Sequence, residues 1–317
     1  MDIEDAIEFP HDYFLRQLTF GDLPYLEIDE YVFSRLKYGK CVLLAAHSIE
    51  EKYDVVLENY IQLEQEVANV CVQRMVRRFG DYSESYETVR DLNVRFSNLL
   101  SAAKMYVDHL KADLSTLEGT KGFVSQQLSE CRENKHYRLM EGVRNYAQHV
   151  RMPIKTISVM ADWNMLEEKK GTSFHHLKVH GSKEELKRIR ELRKTLDEFD
   201  EVVDLKYSIS KYVSIIGKLH GEVRTKISGM VKDSRELFQQ HIEQYLAASG
   251  EEKTLGLAAI KSGNREIAES VYLNLEWDDI RLDLIRRNAG IRDFSISYVT
   301  TISETTIELE QGNPEKA

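Results

Sequence analysis

Residues 49–70, IEEKYDVVLENYIQLEQEVANV, carry apolar side chains at alternating spacings of four and three. This spacing places the apolar side chains on one side of an α-helix and the charged and amide side chains on the other. The stripe consists of Ile49, Tyr53, Val56, Tyr60, Leu63, Val67 and Val70. Because a long helix with one apolar side needs other helices to cover it, this stretch predicts a helical bundle.

Three later segments have the same periodicity. Helices are expected from about 83 to 116, from about 123 to 152 and from about 200 to 247. Pro153 lacks an N–H group and disfavours helix in the residue before it, so the third helix is expected to end there. In residues 153–181, β-branched or alternating apolar and polar side chains lie on both sides of the polar segment EEKKGT, which predicts a β-hairpin. A short helix is expected after it, at about 183–194.

The predicted fold class is therefore mainly α. An antiparallel bundle of four helices covers residues 41–248 and carries the hairpin insertion at 153–181. Residues 1–40 are aromatic and broken by proline and glycine, and they predict an irregular N-terminal arm. Residues 249–317 combine a helical pattern, WDDIRLDLIRR, with a strand pattern, RDFSISYVTTI. They predict a small α/β C-terminal region, and the final EQGNPEKA is expected to be frayed.

Composition and charge predict a cytoplasmic protein with no membrane partner. No apolar run approaches the roughly 18–20 residues that span a bilayer, and the first residues lack the basic and apolar segments of a signal peptide. The three cysteines, Cys41, Cys71 and Cys131, are far apart, which fits buried thiols in a reducing compartment. The net charge of −10 opposes a nonspecific coat of nucleic acid but allows a local basic site.

Such a basic site is predicted around RNYAQHVRMP, residues 144–153. Between residues 132 and 155, six lysines and arginines stand against two acidic residues. With Val143 facing the core, an ideal helix turns Arg144, Asn145 and His149 outward. The other side chains expected on or beside this outward face to bind RNA are Lys135, Tyr137, Arg138, Arg151 and Lys155.

The motif R-N-x-x-x-H, formed by Arg144, Asn145 and His149 on a bundle helix, resembles the signature of the HEPN superfamily. That signature is an arginine, usually followed by a polar residue, and then a histidine after four to six positions. The resemblance covers the motif and a bundle of about 210 residues, and leaves out the arm, the hairpin and the C-terminal region. One subgroup has a tyrosine two residues after the histidine, where this chain has Arg151.

The resemblance implies a metal-independent endoribonuclease without a cofactor. It implies a homodimer in which two motifs form one composite site, a role as a toxin or in phage defence by abortive infection, and an antitoxin or regulatory protein as partner. The chemistry agrees, since histidine can exchange protons near neutral pH and arginine can bind a phosphate through two N–H groups. Arg144, Asn145 and His149 are thus the predicted catalytic residues, with Asn145 orienting His149 or holding a phosphate oxygen.

Alternatives remain open at the level of sequence. Arg235 and His241 in RELFQQH satisfy the same loose spacing, and a basic helix face can simply be solvated. The main alternative function is a non-catalytic helical interaction protein, a degenerate HEPN scaffold. A third is a metal-dependent hydrolase that uses His175, His176 and His180, or His47 with Glu50 and Glu51. For these groups, a surface hairpin and a helix start capped by Ser48 are the simpler interpretations, so no metal site is predicted.

Overall fold

The computed structural model describes residues 12–19, 24–76, 82–167, 170–250, 252–263, 266–288, 293–294 and 301–306. Over these ranges the chain is mainly helical, with small antiparallel sheets. The helices are α1 (Glu30–Val76), α2 (Tyr82–Ser115), α3 (Phe123–Glu133), α4 (Lys135–His149), α5 (Lys183–Leu186), α6 (Leu192–Leu196), α7 (Leu205–Ser249) and α8 (Glu276–Arg287). The strands are β1 (Tyr13–Gln17), β2 (Tyr25–Glu27), β3 (Thr156–Glu167), β4 (Lys170–Ser182), β5 (Val202–Asp204), β6 (Leu257–Gly263), β7 (Glu266–Tyr272) and β8 (Thr301–Thr306). No helix in the described ranges has both the length and the apolarity needed to cross a bilayer.

The apolar stripe of residues 49–70 is buried along its whole length in α1, as predicted. The helix itself starts earlier than expected, because the carboxylate of Asp29 accepts a hydrogen bond from the Val32 N–H at 2.7 Å and caps its first turn. Gly39 is therefore helical, and a Cβ on it would lie 3.3 Å from the Phe238 ring. Ser48 lies in mid-helix, so the prediction that it caps a helix start is wrong.

The third predicted helix is two helices. Asn134 leaves the helical conformation between α3 and α4, and its side chain accepts a hydrogen bond from the His136 N–H at 2.9 Å. It is thus the N-cap of α4. The helix ends at His149, and the chain is non-helical by Pro153, as Pro153 predicts. The R-N-x-x-x-H motif occupies the last two turns of this 15-residue helix.

Two compact units divide the chain. Unit 2 comprises residues 55–107, 126–219 and 291–317, and its core is a helical bundle formed by parts of α1, α2, α4 and α7. In this unit Tyr60 contacts Ser210 while Glu64 contacts Lys206, so α1 and α7 run antiparallel.

The fourth helix of this bundle, α4, departs from the predicted antiparallel arrangement. His136 contacts Ser208, and five residues later Glu141 accepts a hydrogen bond from Tyr212 at 3.3 Å. In these two contacts the residue numbers increase together along both helices, so α4 and α7 run parallel. The two helices are parallel because residues 150–204, which connect them, lead the chain back along α4 to its first turn, where α7 begins.

The predicted hairpin is confirmed within unit 2. Strands β3 and β4 pair antiparallel from Thr156 opposite His180 to Glu167 opposite Lys170. The other edge of β4 pairs with β5 near its end and with β8 near its start. Before the hairpin, the amide of buried Asn93 forms two hydrogen bonds with the backbone of Ile154, each 3.0 Å long. This clamp fixes the chain just after Pro153.

Unit 1 comprises residues 1–54, 108–125 and 220–290. Its sheet has the strand order β2–β1–β6–β7, so the N-terminal segment predicted as an irregular arm supplies two of its strands. The predicted C-terminal helix is confirmed as α8, whereas RDFSISYVTTI and EQGNPEKA lie largely or wholly outside the described residues.

A buried ionic cluster joins α1 to α7 within unit 1. The carboxylate of Glu50, 4% exposed, accepts two hydrogen bonds from Arg224 at 2.7 and 2.6 Å. His220 is fully buried, lies 3.2 Å from Glu50 through Nε2 and stacks on the Tyr53 ring at 3.8 Å. Burial raises the pKa of Glu50, but the Arg224 and His220 bonds outweigh it and hold this pKa at about 2.

Candidate functional site

The R-N-x-x-x-H motif lies where α4 changes from buried to exposed. Val143 and Tyr146 are fully buried in the core of unit 2. Arg144 and Asn145 are half-buried, and His149, in the last turn, is exposed. The predicted outward orientation is therefore observed for His149, whereas Arg144 and Asn145 lie at the boundary between the core and the surface of unit 2.

Arg144 and Asn145 form a hydrogen-bonded pair. The Arg144 Nη1 group donates to the Asn145 Oδ1 atom at 3.2 Å, and this is the only hydrogen bond of the Arg144 side chain to a described residue. The Nε atom of Arg144 is buried and meets no acceptor in the described part of the chain. A guanidinium has five N–H donors, and those of Arg144 that lie on Nη1 and Nη2 have no acceptor in the described part of the chain apart from Asn145.

His149 stands one helical turn after Asn145. Residues four apart are neighbours on a helix surface, so the two side chains share one side of α4. The imidazole of His149 makes neither a hydrogen bond nor an ion pair with any residue that the structure describes. Both ring nitrogens are thus open to solvent or to a ligand.

Most of the expected RNA-binding cations have structural partners. Arg138 donates to the backbone oxygens of Arg132 and Glu133, both at 2.7 Å, and to the Glu198 carboxylate at 2.5 Å. Lys135 donates to the backbone oxygen of Glu198 at 3.1 Å.

The other two expected cations differ from one another. Lys155 forms a salt bridge of 2.8 Å with Glu185, whereas Arg151 is exposed and has no ion pair with a described residue. Arg144 and Arg151 are therefore the motif-adjacent cations whose charge no described carboxylate neutralises.

Tyr137 is not on the outward face, and its assignment as an RNA-binding residue is wrong. Its side chain is fully buried, and its ring lies 5.2 Å from that of Tyr212 on α7. The ideal-helix projection failed here because α4 is covered on two sides, by α7 and by the segment that contains α6. The buried arc of α4 is consequently wider than a single stripe predicts.

The alternative metal ligands do not converge. Among the described residues, no group of three His, Cys, Asp or Glu side chains is arranged to hold a metal ion. His180 contacts Ser158 at 3.1 Å, and the side chain of His175 lies outside the described set. Glu50 is occupied by Arg224 and His220.

The second Arg–His pair has a structural role. Arg235 binds the carboxylates of Asp278 and Asp279 on α8, and His241 is buried with Nδ1 2.8 Å from the Leu237 carbonyl. Neither side chain is available to a substrate. The same loose motif thus yields an exposed histidine on α4 with no partner among the described residues and a buried one on α7.

Comparisons with family models, with curated proteins and with solved structures gave no match to this chain. Its own geometry has to carry any functional conclusion.

One neighbour of the motif had no signal in the sequence. The Tyr146 hydroxyl donates to the Glu185 carboxylate at 2.9 Å, and Glu185 also binds Lys155. Lys155 and then Tyr146 lower the pKa of Glu185, while burial and the bond to Glu185 raise the pKa of Tyr146. Glu185 follows Tyr146 by 39 residues, so no local spacing could have associated the two.

Proposed function

We propose that this chain is a metal-independent endoribonuclease of the HEPN type, acting in the cytoplasm. The observation that carries the proposal is the arrangement at the end of α4. A hydrogen-bonded Arg144–Asn145 pair, whose guanidinium forms no salt bridge with a described carboxylate, stands one turn before an exposed His149 with no partner among the described residues. The motif lies on a helix of the bundle in unit 2, and the proposed reaction requires no cofactor.

The reaction follows from the chemistry of RNA itself. A ribose 2′-oxygen attacks the adjacent phosphorus and loses its proton, and the bond from phosphorus to the 5′-oxygen breaks as that oxygen gains a proton. The products carry a 2′,3′-cyclic phosphate and a 5′-hydroxyl. His149 exchanges protons with the reacting oxygens, and Arg144 stabilises the negative charge that grows on the phosphate. Asn145 holds the guanidinium through its side-chain oxygen.

A homodimer supplies the complete site in this proposal. One exposed histidine and one arginine give a sparse active site, whereas two motifs facing each other give two proton-transfer groups on opposite sides of one phosphate. Such an enzyme acts as a toxin or as an effector of phage defence, and an antitoxin or another regulatory protein restrains it.

The test is cleavage of total RNA in the presence of EDTA. Wild type is expected to cut and to leave 2′,3′-cyclic phosphate ends, and His149→Ala is expected to lose this activity. His109→Ala is the matched control, because His109 is also an exposed helical histidine but lies in unit 1. Equal cleavage by all three proteins would refute the assignment, as would activity that EDTA abolishes.

A second function is favoured by one observation. The side chains of Lys135, Arg138 and Lys155 all have partners within the protein, so fewer cations near the motif remain for RNA than a nuclease would use. In that case the chain binds a protein partner and cuts no RNA. Purified wild type that leaves RNA intact in EDTA and in Mg²⁺, over a range of RNA substrates, would support this function over the nuclease.

A further inference from the structure

Exposed cations are concentrated in the short segment that contains α5 and α6. Residues 183–196 carry six lysines and arginines against three glutamates. Five of these cations are exposed, and none of the five forms a salt bridge with a described residue. They are Lys187, Arg188, Arg190, Arg193 and Lys194, here called the α5–α6 basic surface.

This segment runs antiparallel along α4. Three contacts define its course. From one contact to the next, the residue number increases on α4 and decreases in the segment. In order they are Arg138 with Glu198 at 2.5 Å, Gly142 against Leu192, and the Tyr146 hydroxyl with Glu185 at 2.9 Å. The eight steps from residue 138 to residue 146 span about 12 Å of helix, so the basic surface lies beside the helix that carries the motif.

At Gly142 the segment approaches so closely that any side chain there would force Leu192 to shift. A Cβ there would lie 2.2 Å from Leu192 Cδ2. Leu192 is itself 1% exposed, so it anchors the segment while the charged residues on both sides of it remain in solvent. The cations are therefore held in place by the core of unit 2 and are not on a loose loop.

The charges reach the end of α4 that bears the motif. Arg188 on this surface and Arg151 just after α4 both act electrostatically on the Tyr146 hydroxyl. An open cleft of about 490 Å³ lies on the surface itself, lined by Lys187, Arg188 and Arg193 together with Glu184 and Asp197. Unpaired positive charge thus extends from Arg151 to the cleft.

We propose that the α5–α6 basic surface binds the phosphates of the RNA strand whose scissile bond lies at Arg144 and His149. This inference rests on the proposed nuclease function, because that function identifies the bound polyanion as RNA. Segment 183–196 contains no aromatic residue on which a base could stack, so its cations contact phosphates and do not read sequence. The phosphates are bound by Arg188, Arg190 and their neighbours. They take the role that the sequence had assigned to Lys135, Arg138 and Lys155, which have partners within the protein.

The test measures binding apart from cleavage. Two fluorescein-labelled strands of about 20 nucleotides, an oligouridylate and the matching oligodeoxyuridylate, are titrated with protein in EDTA at several salt concentrations. The deoxy strand has no 2′-hydroxyl and cannot be cut, so it reports binding alone. The His149→Ala background provides the same information for the RNA strand.

The variant is Arg188→Gln/Arg190→Gln, and its control is Lys111→Gln/Lys121→Gln, which removes two exposed cations from unit 1. The arginine variant is expected to weaken both strands by about three- to tenfold and to lower the salt slope by about 1.4, or 0.7 for each lost phosphate contact. The control is expected to bind like wild type.

The outcomes separate the two proposals. If wild type cuts RNA but the arginine variant binds both strands as wild type does, the basic surface is refuted and the nuclease stands. If the arginine variant loses binding while no protein cuts RNA, the surface stands and the nuclease fails. If wild type binds neither strand at about 50 mM salt, or the lysine control loses as much affinity, the basic surface is refuted.

Discussion

The hydroxyl of Tyr146 donates a hydrogen bond of 2.9 Å to Glu185, and this bond ties the motif helix to the segment that follows the hairpin. Tyr146 follows Asn145 directly, so its ring anchors in the core the same helical turn that exposes the candidate catalytic groups. Glu185 in turn binds Lys155 at 2.8 Å. One carboxylate therefore joins α4 to the chain on both sides of the hairpin.

Tyr146→Phe is expected to lower the free energy of unfolding by about 1 kcal/mol, because it removes a hydrogen bond to a carboxylate without opening a cavity. Urea denaturation measures the change. Tyr86→Phe is the control, since Tyr86 is 62% exposed, and it is expected to be neutral. A variant as stable as wild type would show that the bond adds nothing to stability.

Gly142→Ala is expected to destabilise the protein by about 1–3 kcal/mol, because the new methyl group overlaps Leu192. Gly229→Ala is the matched control, as Gly229 lies inside α7 and a Cβ added to it would meet no described atom within 4 Å. The control is expected to gain about 0.5–1 kcal/mol from helix propensity. Thermal and urea unfolding of the two variants give the comparison, and equal effects would contradict the close approach.

The ionic cluster of unit 1 predicts a loss of stability in acid. The folded pKa of Glu50, about 2, lies below the unfolded value, so its contribution is complete above the unfolded pKa and disappears as the pH falls towards 2. Burial lowers the pKa of His220, so protonation of the unfolded state adds to the loss once the pH drops below the ordinary value for histidine. Unfolding free energies measured from pH 7 downwards are expected to decline over this whole window.

Glu50→Gln tests the assignment to this cluster. Removing the carboxylate leaves Arg224 without its partner, and about 3–5 kcal/mol is expected to be lost at pH 7. The gap between variant and wild type is expected to narrow in acid, as wild-type Glu50 itself becomes protonated. A gap that is constant with pH would assign the acid sensitivity to other groups.

Arg144→Lys is expected to reduce RNA cleavage by about 10²–10³-fold, because lysine keeps the charge but loses the paired N–H groups that bind a phosphate. Arg90→Lys is the control, since Arg90 is an exposed arginine paired with the adjacent Asp91. Cleavage rates in EDTA and RNA affinities measured side by side test the role of Arg144. Unchanged cleavage by Arg144→Lys would remove Arg144 from the catalytic assignment.

The sequence predicted those elements whose signal is local and periodic. The stripe from Ile49 to Val70, the hairpin and α8 are all present, because each depends on a spacing that a single segment must satisfy. The exposed position of His149 was predicted for the same reason. The break at Asn134 was missed because the apolar periodicity continues across it and only the capping hydrogen bond reveals it.

Other features depend on contacts between distant segments and left no local pattern. Tyr137 is buried by Tyr212, and Glu185 meets Tyr146, in both cases across long stretches of chain. The strand β6 was missed because Leu257, Ala258, Ala259 and Ile260 are all buried, so the alternation typical of a half-exposed strand is absent. The parallel course of α4 and α7 likewise follows from the length of the intervening insertion and not from either helix.

The clamp of Asn93 on Ile154 limits how far His149 can move. Ile154 follows His149, the last residue of α4, by five steps, which span at most about 18 Å when fully extended, and Ile154 is held by two hydrogen bonds. Backbone amide exchange is therefore expected to be slow at Ile154, whose N–H is bonded to Asn93, and fast at Met152. The position of His149 is therefore restricted, and a second subunit that completes the proposed site has to bind where His149 lies.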